Sequence, residues 1–186
     1  MKQHITLTAI TVIMACILVV VVGSCYQQGD PPPPADRVYL FDGTAAGTWE
    51  GGSLQTVPEP PSGGSYLRAS ADADVIVLVN RALMLDLSSY AAAGKLFLEF
   101  YVDNPANIIG GQFELTSSSE SDRNEIHLDL TDFMPSLTAG WNTLELLVSA
   151  MGTQGGACDM TMINYSRFFI LISGTTTIGL GPTWVE

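Results

Sequence analysis

The feature that most constrains the fold is an alternation of apolar and polar side chains with a period of two. Within residues 95–103, one side collects four apolar side chains, namely Leu96, Leu98, Phe100 and Val102. Residues 125–130 and 143–148 alternate in the same way, and residues 168–172 are apolar on both sides. Because successive side chains of a β-strand point to opposite faces, these segments are predicted strands, the last of them central in a sheet.

Turn signals separate these segments from four further strand candidates, at residues 38–41, 65–71, 75–79 and 111–117. Gly, Pro, Asn and Asp cluster between the candidates, as in the run from Pro60 to Gly64. No long amphipathic helix is found, and residues 159–163 are predicted to form one short helical turn at most. This pattern predicts an all-β fold, an antiparallel two-sheet β-sandwich of the jelly-roll type.

The first 24 residues have the composition of a secretion signal. Lys2 is followed by an uncharged apolar stretch, residues 5–23, and then by Ser24 and Cys25. The segment resembles the lipobox of bacterial lipoproteins. The resemblance implies cleavage before Cys25 and acylation of its thiol, which would anchor the chain to a membrane. The alternative is a single transmembrane helix, because the apolar stretch is just long enough to span a bilayer.

The remaining chain divides into a tether and one domain. Residues 25–36 contain four consecutive prolines, which favour an extended, semi-rigid spacer. Residues 37–186 are long enough for one β-sandwich domain with its own core. We expect an exported protein held at a bacterial membrane by its lipid. Tyr26 stands where lipoproteins retained in the inner membrane often have Asp, which favours the outer membrane or cell surface.

Charge and cysteine content exclude several functions. The chain has seven basic and 19 acidic residues, for a formal net charge of −12, which argues against nucleic-acid binding and against docking on anionic lipid headgroups. With Cys16 removed and Cys25 acylated, Cys158 has no partner for an intrachain disulfide. The mature chain keeps one histidine, His127, and it contains no catalytic triad pattern, phosphate loop or zinc-ligand spacing.

Several segments, taken in order, resemble carbohydrate-binding modules with the galactose-binding-domain-like jelly roll. They are an opening strand at 38–43 with Trp49 after it, a "G-S-L-K"-like strand at 63–68, an "L-D-L-S-x-Y" run at 85–90, a "G-W-N" hairpin at 139–144, and residues 159–164 before the strand 167–172. The resemblance covers residues 38–180 and implies a jelly roll whose ligand is a glycan. It is carried by the order of the motifs rather than by any one of them.

The end of the chain departs from that family. The family often ends in an acidic strand that helps to hold a structural calcium ion, but residues 178–184 contain no acid. Asp42 and Glu50 offer oxygen ligands, whereas calcium takes six to eight. No cofactor is therefore expected, the family-type calcium site is in doubt, and the identity of any metal ligands stays open.

The alternation also predicts which side chains face away from the core. They are Phe97, Glu99, Tyr101, Gln112, Glu114, Glu125, His127, Asp129, Thr143 and Glu145. A sugar is bound by an aromatic ring that stacks on its C–H face and by polar groups that bond its hydroxyls, and this set has both. The set is also what a solvated outer face looks like. The sequence leaves open whether these strands share one sheet.

Two tryptophans add to the candidate aromatic groups. Trp49 lies in a loop-rich stretch and is predicted either to cover the core or to serve as a stacking platform for ligand. Trp141 precedes a core strand and is expected to close the end of the core.

These observations predict a surface-anchored, non-catalytic lipoprotein that captures extracellular or cell-wall glycan. A protein-binding adhesin or an envelope-complex subunit on the same fold is the alternative. A glycosidase is a weaker third hypothesis, because residues 125–129 resemble the "E-I-D-I-E" strand of laminarinase-type enzymes. On a regular strand Glu125 and Asp129 stand about 13 Å apart, whereas a retaining glycosidase needs roughly 5–5.5 Å. No catalytic residue is therefore assigned.

Overall fold

The structure, a computed structural model, describes residues 36–186. The predicted signal peptide, Cys25 and all but the last residue of the predicted tether lie outside the described residues. Within the described range, no helix has the length and apolar character needed to cross a membrane.

In the part of the chain that the structure describes, twelve strands form two antiparallel sheets. The strands are β1 (Val38–Phe41), β2 (Trp49–Glu50), β3 (Ser53–Gln55), β4 (Tyr66–Ala71), β5 (Val75–Asn80), β6 (Lys95–Val102), β7 (Ile108–Thr116), β8 (Glu125–Asp129), β9 (Gly140–Leu147), β10 (Gly152–Gln154), β11 (Tyr165–Ile172) and β12 (Thr176–Val185). Sheet I has the order β3-β4-β12-β6-β9, with β1 also paired to β12. Sheet II has the order β10-β8-β7-β11-β5-β2. The predicted two-sheet sandwich is confirmed.

Within residues 36–186, helical structure is confined to one-turn 3-10 helices in the connections. Their bounds are Ser88–Tyr90, Pro105–Asn107, Leu130–Asp132, Met134–Ser136 and Val148–Ala150. The predicted helical turn at residues 159–163 is instead a single hydrogen-bonded turn, in which the Met162 N–H donates to the Asp159 carbonyl at 3.0 Å. The Asp159 carboxylate accepts from the Thr161 N–H, and this favours a turn over a helix at that point.

The core lies between the two sheets and is built by the predicted alternation. Leu96, Leu98, Phe100 and Val102 of β6 are all fully buried. Across the interface, Phe100 meets Phe168 of β11 edge-on, with ring centroids 5.3 Å apart. Burial of these side chains removes a large apolar surface from water, which is the main force that holds one sheet against the other.

The central strand β12 was not predicted from the sequence. Its Gly and Pro residues break the alternation, although it pairs with β1, β4 and β6. Aromatic rings next to the glycines leave no space for a side chain, since a Cβ on Gly179 would lie 2.4 Å from the Tyr66 ring. A register shift between Leu180 and Thr183 accommodates Pro182, which has no N–H to donate.

Candidate functional site

The predicted ligand-binding residues belong to two different sheets. Phe97, Glu99 and Tyr101 lie on β6 of sheet I. Thr143 and Glu145 lie on the neighbouring strand of the same sheet, β9. Gln112 and Glu114 on β7 are paired with Glu125, His127 and Asp129 on β8, all in sheet II. Because the core separates the sheets, the two groups face opposite sides of the molecule. The sequence left open whether these strands share one sheet, and the structure divides the predicted residues between two separate faces.

On the outer face of sheet I, the aromatic rings are packed against one another. Phe97 stacks on Trp184, with centroids 5.1 Å apart and planes within 6°. The Arg37 guanidinium lies 4.6 Å from the Trp184 ring. Tyr101 contacts Tyr66 and Trp141, and Trp141 lies on this outer face rather than at the predicted end of the core. Tyr66 and Trp184 are buried in this packing, whereas Phe97, Tyr101 and Trp141 stay partly exposed.

Glu99, in the middle of the same face, is covered by the segment 57–64. Only 2% of Glu99 is exposed. The Ser62 N–H and hydroxyl donate to its two carboxylate oxygens at 3.0 and 2.9 Å. Burial raises the pKa of Glu99 despite these hydrogen bonds. A ligand on sheet I would have to displace this segment before it reached the carboxylate.

On the outer face of sheet II, register partners on adjacent strands form three transverse rows of side chains. The first row is Asp129, Gln112, Phe169 and Val77; the second is His127, Glu114, Arg167 and Val79; the third is Glu125, Thr116 and Tyr165. Four adjacent strands span about 14 Å, three spacings of about 4.8 Å each. The five predicted residues of β7 and β8 therefore lie together, and β11 adds residues that were not predicted.

The first row is the accessible one. Asp129, Gln112 and Phe169 are partly exposed, and Val77 is 38% exposed. The Thr131 N–H and hydroxyl both donate to one Asp129 oxygen, Oδ1, at 2.9 and 2.7 Å, so Oδ2 is the freer acceptor. Burial raises the pKa of Asp129, but these hydrogen bonds outweigh it and leave the pKa below its usual value. The row thus combines a ring face, an amide and a carboxylate.

The second row is dominated by an ion pair. Arg167 Nε donates to Glu114 Oε2 at 2.9 Å, and a guanidinium NH2 group donates to the other carboxylate oxygen. The Glu114 side chain is fully buried, whereas that of Arg167 is 19% exposed. Burial raises the pKa of Glu114 to about 6 even though Arg167 favours its ionised form. The Arg167 guanidinium also lies 4.6 Å from the Phe169 ring.

The third row is closed by the loop 117–124. The Glu125 side chain is fully buried, and its Oε1 lies 2.9 Å from His127 Nδ1. Its Oε2 accepts from the Asp122 N–H at 2.8 Å, and the Asp122 carboxylate faces Arg167 at 3.3 and 3.4 Å. Ligand oxygens of Glu114, Asp122 and Glu125 all lie within 4.8 Å of one another. The loop therefore places the carboxylate of Asp122 next to the two buried carboxylates of Glu114 and Glu125.

The spacing of the carboxylates on β8 was the sequence argument against a glycosidase, and the structure brings a different pair of carboxylates together. Glu125 and Asp129 stand at the two ends of β8, whereas Glu114 and Glu125 come close in space on adjacent strands. Both of these glutamate side chains have no accessible surface. A general acid must touch the glycosidic oxygen, so this buried pair is not placed to attack a polysaccharide.

Trp49 and Cys158 are structural in character. Trp49 is 7% exposed, its Nε1–H donates to the Leu40 carbonyl at 3.3 Å, and its ring packs edge-on against Phe41. Of its two predicted roles, the structure therefore favours the core lid over the stacking platform. Cys158 is free and half-buried, and burial raises the pKa of its thiol, which makes it a poor nucleophile.

Sequence reasoning missed Arg167 and Phe169. The segment 168–172 is apolar on both faces, and this pattern predicts a central strand. A strict period of two, extended back to Tyr165, places Arg167, Phe169 and Leu171 on the outward face, where the structure has them. A ring next to a basic residue on one strand face was the signal available.

A separate groove of about 560 Å³ lies beyond the end of β5, between the segment after that strand and the loops at residues 119 and 161–164. Its walls are mostly apolar and include Leu83, Leu85, Met84 and Met162. Met84 is 87% exposed and Met162 is 52% exposed. Exposed methionines adapt to different apolar partners.

No protein-family model matches this chain, and no curated protein matches it in sequence. Solved structures match its fold. A family 30 carbohydrate-binding module of a cellulosomal cellulase of Clostridium thermocellum has a TM-score of 0.56 at 12% identity, over 81% of this chain and 97% of the module.

A family 11 carbohydrate-binding module from Clostridium thermocellum, in complex with a β-1,3-1,4-mixed-linked tetrasaccharide, has a TM-score of 0.54 at 13% identity, over 80% of this chain and 94% of the module. The structural neighbours are thus carbohydrate-binding modules with a jelly-roll β-sandwich. At such low identity the likeness shows the fold, and the residues of a site must be argued from their own geometry.

Proposed function

We propose that this chain is a non-catalytic carbohydrate-binding protein that holds a glycan against the outer face of sheet II. The observation that carries the proposal is the row Asp129, Gln112, Phe169, in which a partly exposed ring lies beside an amide and a carboxylate on register-paired strands. A pyranose ring has apolar C–H faces and a rim of hydroxyls. Phe169 would stack on such a face, while Gln112 and Asp129 would bond the hydroxyls.

Sheet II is favoured over sheet I because its partly exposed ring, Phe169, shares a row with two partly exposed polar groups, Gln112 and Asp129, whereas the carboxylate of Glu99 on sheet I is buried. On sheet I, Glu99 is bonded to Ser62, Phe97 packs against Trp184, and Tyr101 packs against Trp141. The solved structures with the same fold add support, since they are carbohydrate-binding modules and one of them is in complex with an oligosaccharide.

The test is a glycan array probed with residues 37–186, followed by affinity electrophoresis on the polysaccharides that score. We expect Phe169→Ala to abolish retention and Gln112→Ala to weaken it. Tyr101→Ala removes a partly exposed ring from the opposite face and should leave retention unchanged, provided that its melting curve shows a folded domain. Retention lost with Tyr101→Ala but kept with Phe169→Ala would move the site to sheet I.

The absence of catalysis is part of the proposal. Of the three carboxylates close enough to cooperate, those of Glu114 and Glu125 are fully buried and bonded to Arg167 and His127. That of Asp122 is exposed and bonded to Gln154 and Arg167. Release of reducing sugar from a bound polysaccharide, lost in Glu125→Gln, would overturn this part of the proposal.

We also propose that the protein is exported and anchored through a lipid on Cys25, which would present the domain at the cell surface. The support is the order of Lys2, the apolar stretch, Ser24 and Cys25 in the sequence. Labelling with a palmitate analogue should mark the wild type and not Cys25→Ala. A Cys25→Ala protein that stays in the membrane fraction would favour a transmembrane helix instead.

Binding of an envelope protein is the second candidate function, and the apolar groove with Met84 and Met162 favours it. A silent glycan array, together with co-purification of one envelope protein that is lost in a Met84→Glu, Met162→Glu double variant, would favour this function over glycan binding.

A further inference from the structure

The cluster beneath the loop 117–124 has more negative charge than its own cations balance. Three carboxylates, those of Glu114, Asp122 and Glu125, face one guanidinium, that of Arg167. The neighbouring His127 is charged only when it is protonated. Two of the three carboxylates have no exposed surface, and uncompensated charge in such surroundings is costly.

A second observation points to a missing partner at the same place. Thr116 lies two residues after Glu114 on the same face of β7, and it is the register partner of Glu125 on β8. The residue has no exposed surface, and its Oγ1 has no hydrogen-bond partner. Buried hydroxyls are nearly always bonded, so an oxygen left free between two buried carboxylates indicates a ligand between them.

The atoms that could bind this missing partner indicate its chemistry. The candidate ligand atoms are all oxygens. The carboxylate oxygens are at present hydrogen-bonded to Arg167, Gln154, His127 and the Asp122 N–H, and the Thr116 hydroxyl has no partner. Hard cations take oxygen ligands, whereas zinc and copper favour nitrogen and sulfur. Calcium suits this set better than magnesium, because it tolerates irregular geometry and bidentate carboxylates.

We propose that Glu114, Asp122 and Glu125, with the hydroxyl of Thr116, form a calcium-binding site that fastens the loop 117–124 to strands β7 and β8. Asp122 supplies the loop's contribution. Its Oδ1 accepts a hydrogen bond from Gln154 Nε2 at 3.1 Å, and its contacts with Arg167 are long, at 3.3 and 3.4 Å, so an ion would replace these bonds. At 53% side-chain exposure it also gives an ion access from solvent. With the ion bound, Glu114 would still accept the hydrogen bond from Arg167 Nε.

This site differs from the one suggested by Asp42 and Glu50. Asp42 follows β1 of sheet I and accepts hydrogen bonds from Thr44, whereas Glu50 lies on β2 of sheet II and pairs with Arg81. Among residues 36–186, the carboxylates of Glu114, Asp122 and Glu125 are the group of three that meets the distance requirement for one ion.

The test is thermal unfolding of residues 37–186 with calcium at about 1 mM, the range to which extracellular modules respond, against EDTA. We expect calcium to raise the melting temperature of the wild type and Asp122→Asn to lose most of that rise. Asn tolerates the positive φ of 60° found at this position, so the variant keeps the loop geometry. Glu120→Gln is the matched control, because Glu120 lies in the same loop, is exposed, and pairs with Arg123 outside the cluster.

A second variant separates calcium binding from a structural effect. Thr116→Val keeps the side-chain shape and removes the unbonded hydroxyl, so it should raise the melting temperature in EDTA while it reduces the additional rise given by calcium. Isothermal titration with calcium should show one site in the wild type and Glu120→Gln, and a loss of affinity in Asp122→Asn and Thr116→Val.

Equal melting curves of the wild type in calcium and EDTA would overturn the site. Equal calcium responses of Asp122→Asn and Glu120→Gln would do the same, since they would indicate diffuse binding to an acidic surface. The glycan measurements are independent of this outcome: a silent array with a calcium response that depends on Asp122 would overturn the proposed function and leave the calcium site standing.

Discussion

Arg167 lies across the ring of Phe169, with its guanidinium carbon 4.6 Å from the ring centroid, while its nitrogens hold the buried carboxylate of Glu114. One side chain thus joins the charged row of sheet II to its accessible aromatic row. The cation fixes the orientation of the ring and neutralises part of the buried charge. Arg167 is therefore expected to affect both the stability of the domain and the binding of ligand. Substitutions of Arg167, Glu114 and Phe169 measure the two contributions separately.

Replacing Arg167 by Met should leave the Glu114 carboxylate buried without its partner. We expect a loss of about 3–5 kcal/mol in the free energy of unfolding, the range for breaking one side of a buried ion pair. Urea unfolding at neutral pH measures it. Adding Glu114→Gln to Arg167→Met removes the stranded charge and should recover part of the loss. If the double variant is less stable than Arg167→Met alone, the buried pair is not the cause.

The contribution of the Phe169 ring should be measurable as affinity for the best glycan of the array. Phe169→Ala should weaken binding about tenfold or more, since a stacking ring contributes about 0.5–1.5 kcal/mol beyond the apolar surface that it buries. Phe169→Tyr keeps the ring and should bind within about twofold of the wild type, an expectation from the same argument. Isothermal titration gives both values. Equal losses in the two variants would exclude stacking as the source of affinity.

Glu99 should make stability depend on pH. Burial holds its pKa in the folded chain above the usual value, so the folded state binds this proton more tightly than the unfolded state does. The stabilisation is present in full below the ordinary glutamate pKa and is lost as pH rises through the raised one. Glu99→Gln should therefore unfold at a higher temperature than the wild type at neutral pH, with the difference vanishing in acid.

The control for Glu99 is Glu145→Gln, on the same face of sheet I. Glu145 is about half exposed and pairs with Lys95, and an exposed pair contributes about 1 kcal/mol at most. Its substitution should change stability little at either pH. A Glu99→Gln difference that stays constant from acid to neutral pH would show that ionisation of Glu99 is not involved.

Gly179 should not tolerate a side chain. A Cβ there would lie 2.4 Å from the Tyr66 ring and 3.1 Å from the Tyr101 Cβ. We expect Gly179→Ala to cost about 1–3 kcal/mol, the usual range for overpacking. Gly110→Ala on β7 is the control, because its Cβ would meet Leu171 at an ordinary 3.5 Å. Similar melting temperatures for the two variants would mean that the ring of Tyr66 moves aside freely.

The sequence determined the strands with clean alternation and the direction in which their side chains point. Leu96, Leu98 and Phe100 were predicted to face the core and are fully buried. That prediction succeeds because the period of a β-strand is fixed by local backbone geometry. Strand β12 was not predicted, because Gly179, Gly181 and Pro182 interrupt its alternation. The two glycines leave space for side chains of neighbouring strands, and Pro182 lies at a register shift, so neither feature follows from a local pattern.

Only the tertiary structure decided which strands share a sheet. Phe97 and Gln112 look equivalent in sequence, since each is the outward residue of an alternating strand, yet they lie on opposite sides of the molecule. Strand pairing depends on contacts between segments far apart in the chain, and no local period records it. The approach of Asp122 to Glu114 and Glu125, and of Arg167 to Phe169, follows from that pairing.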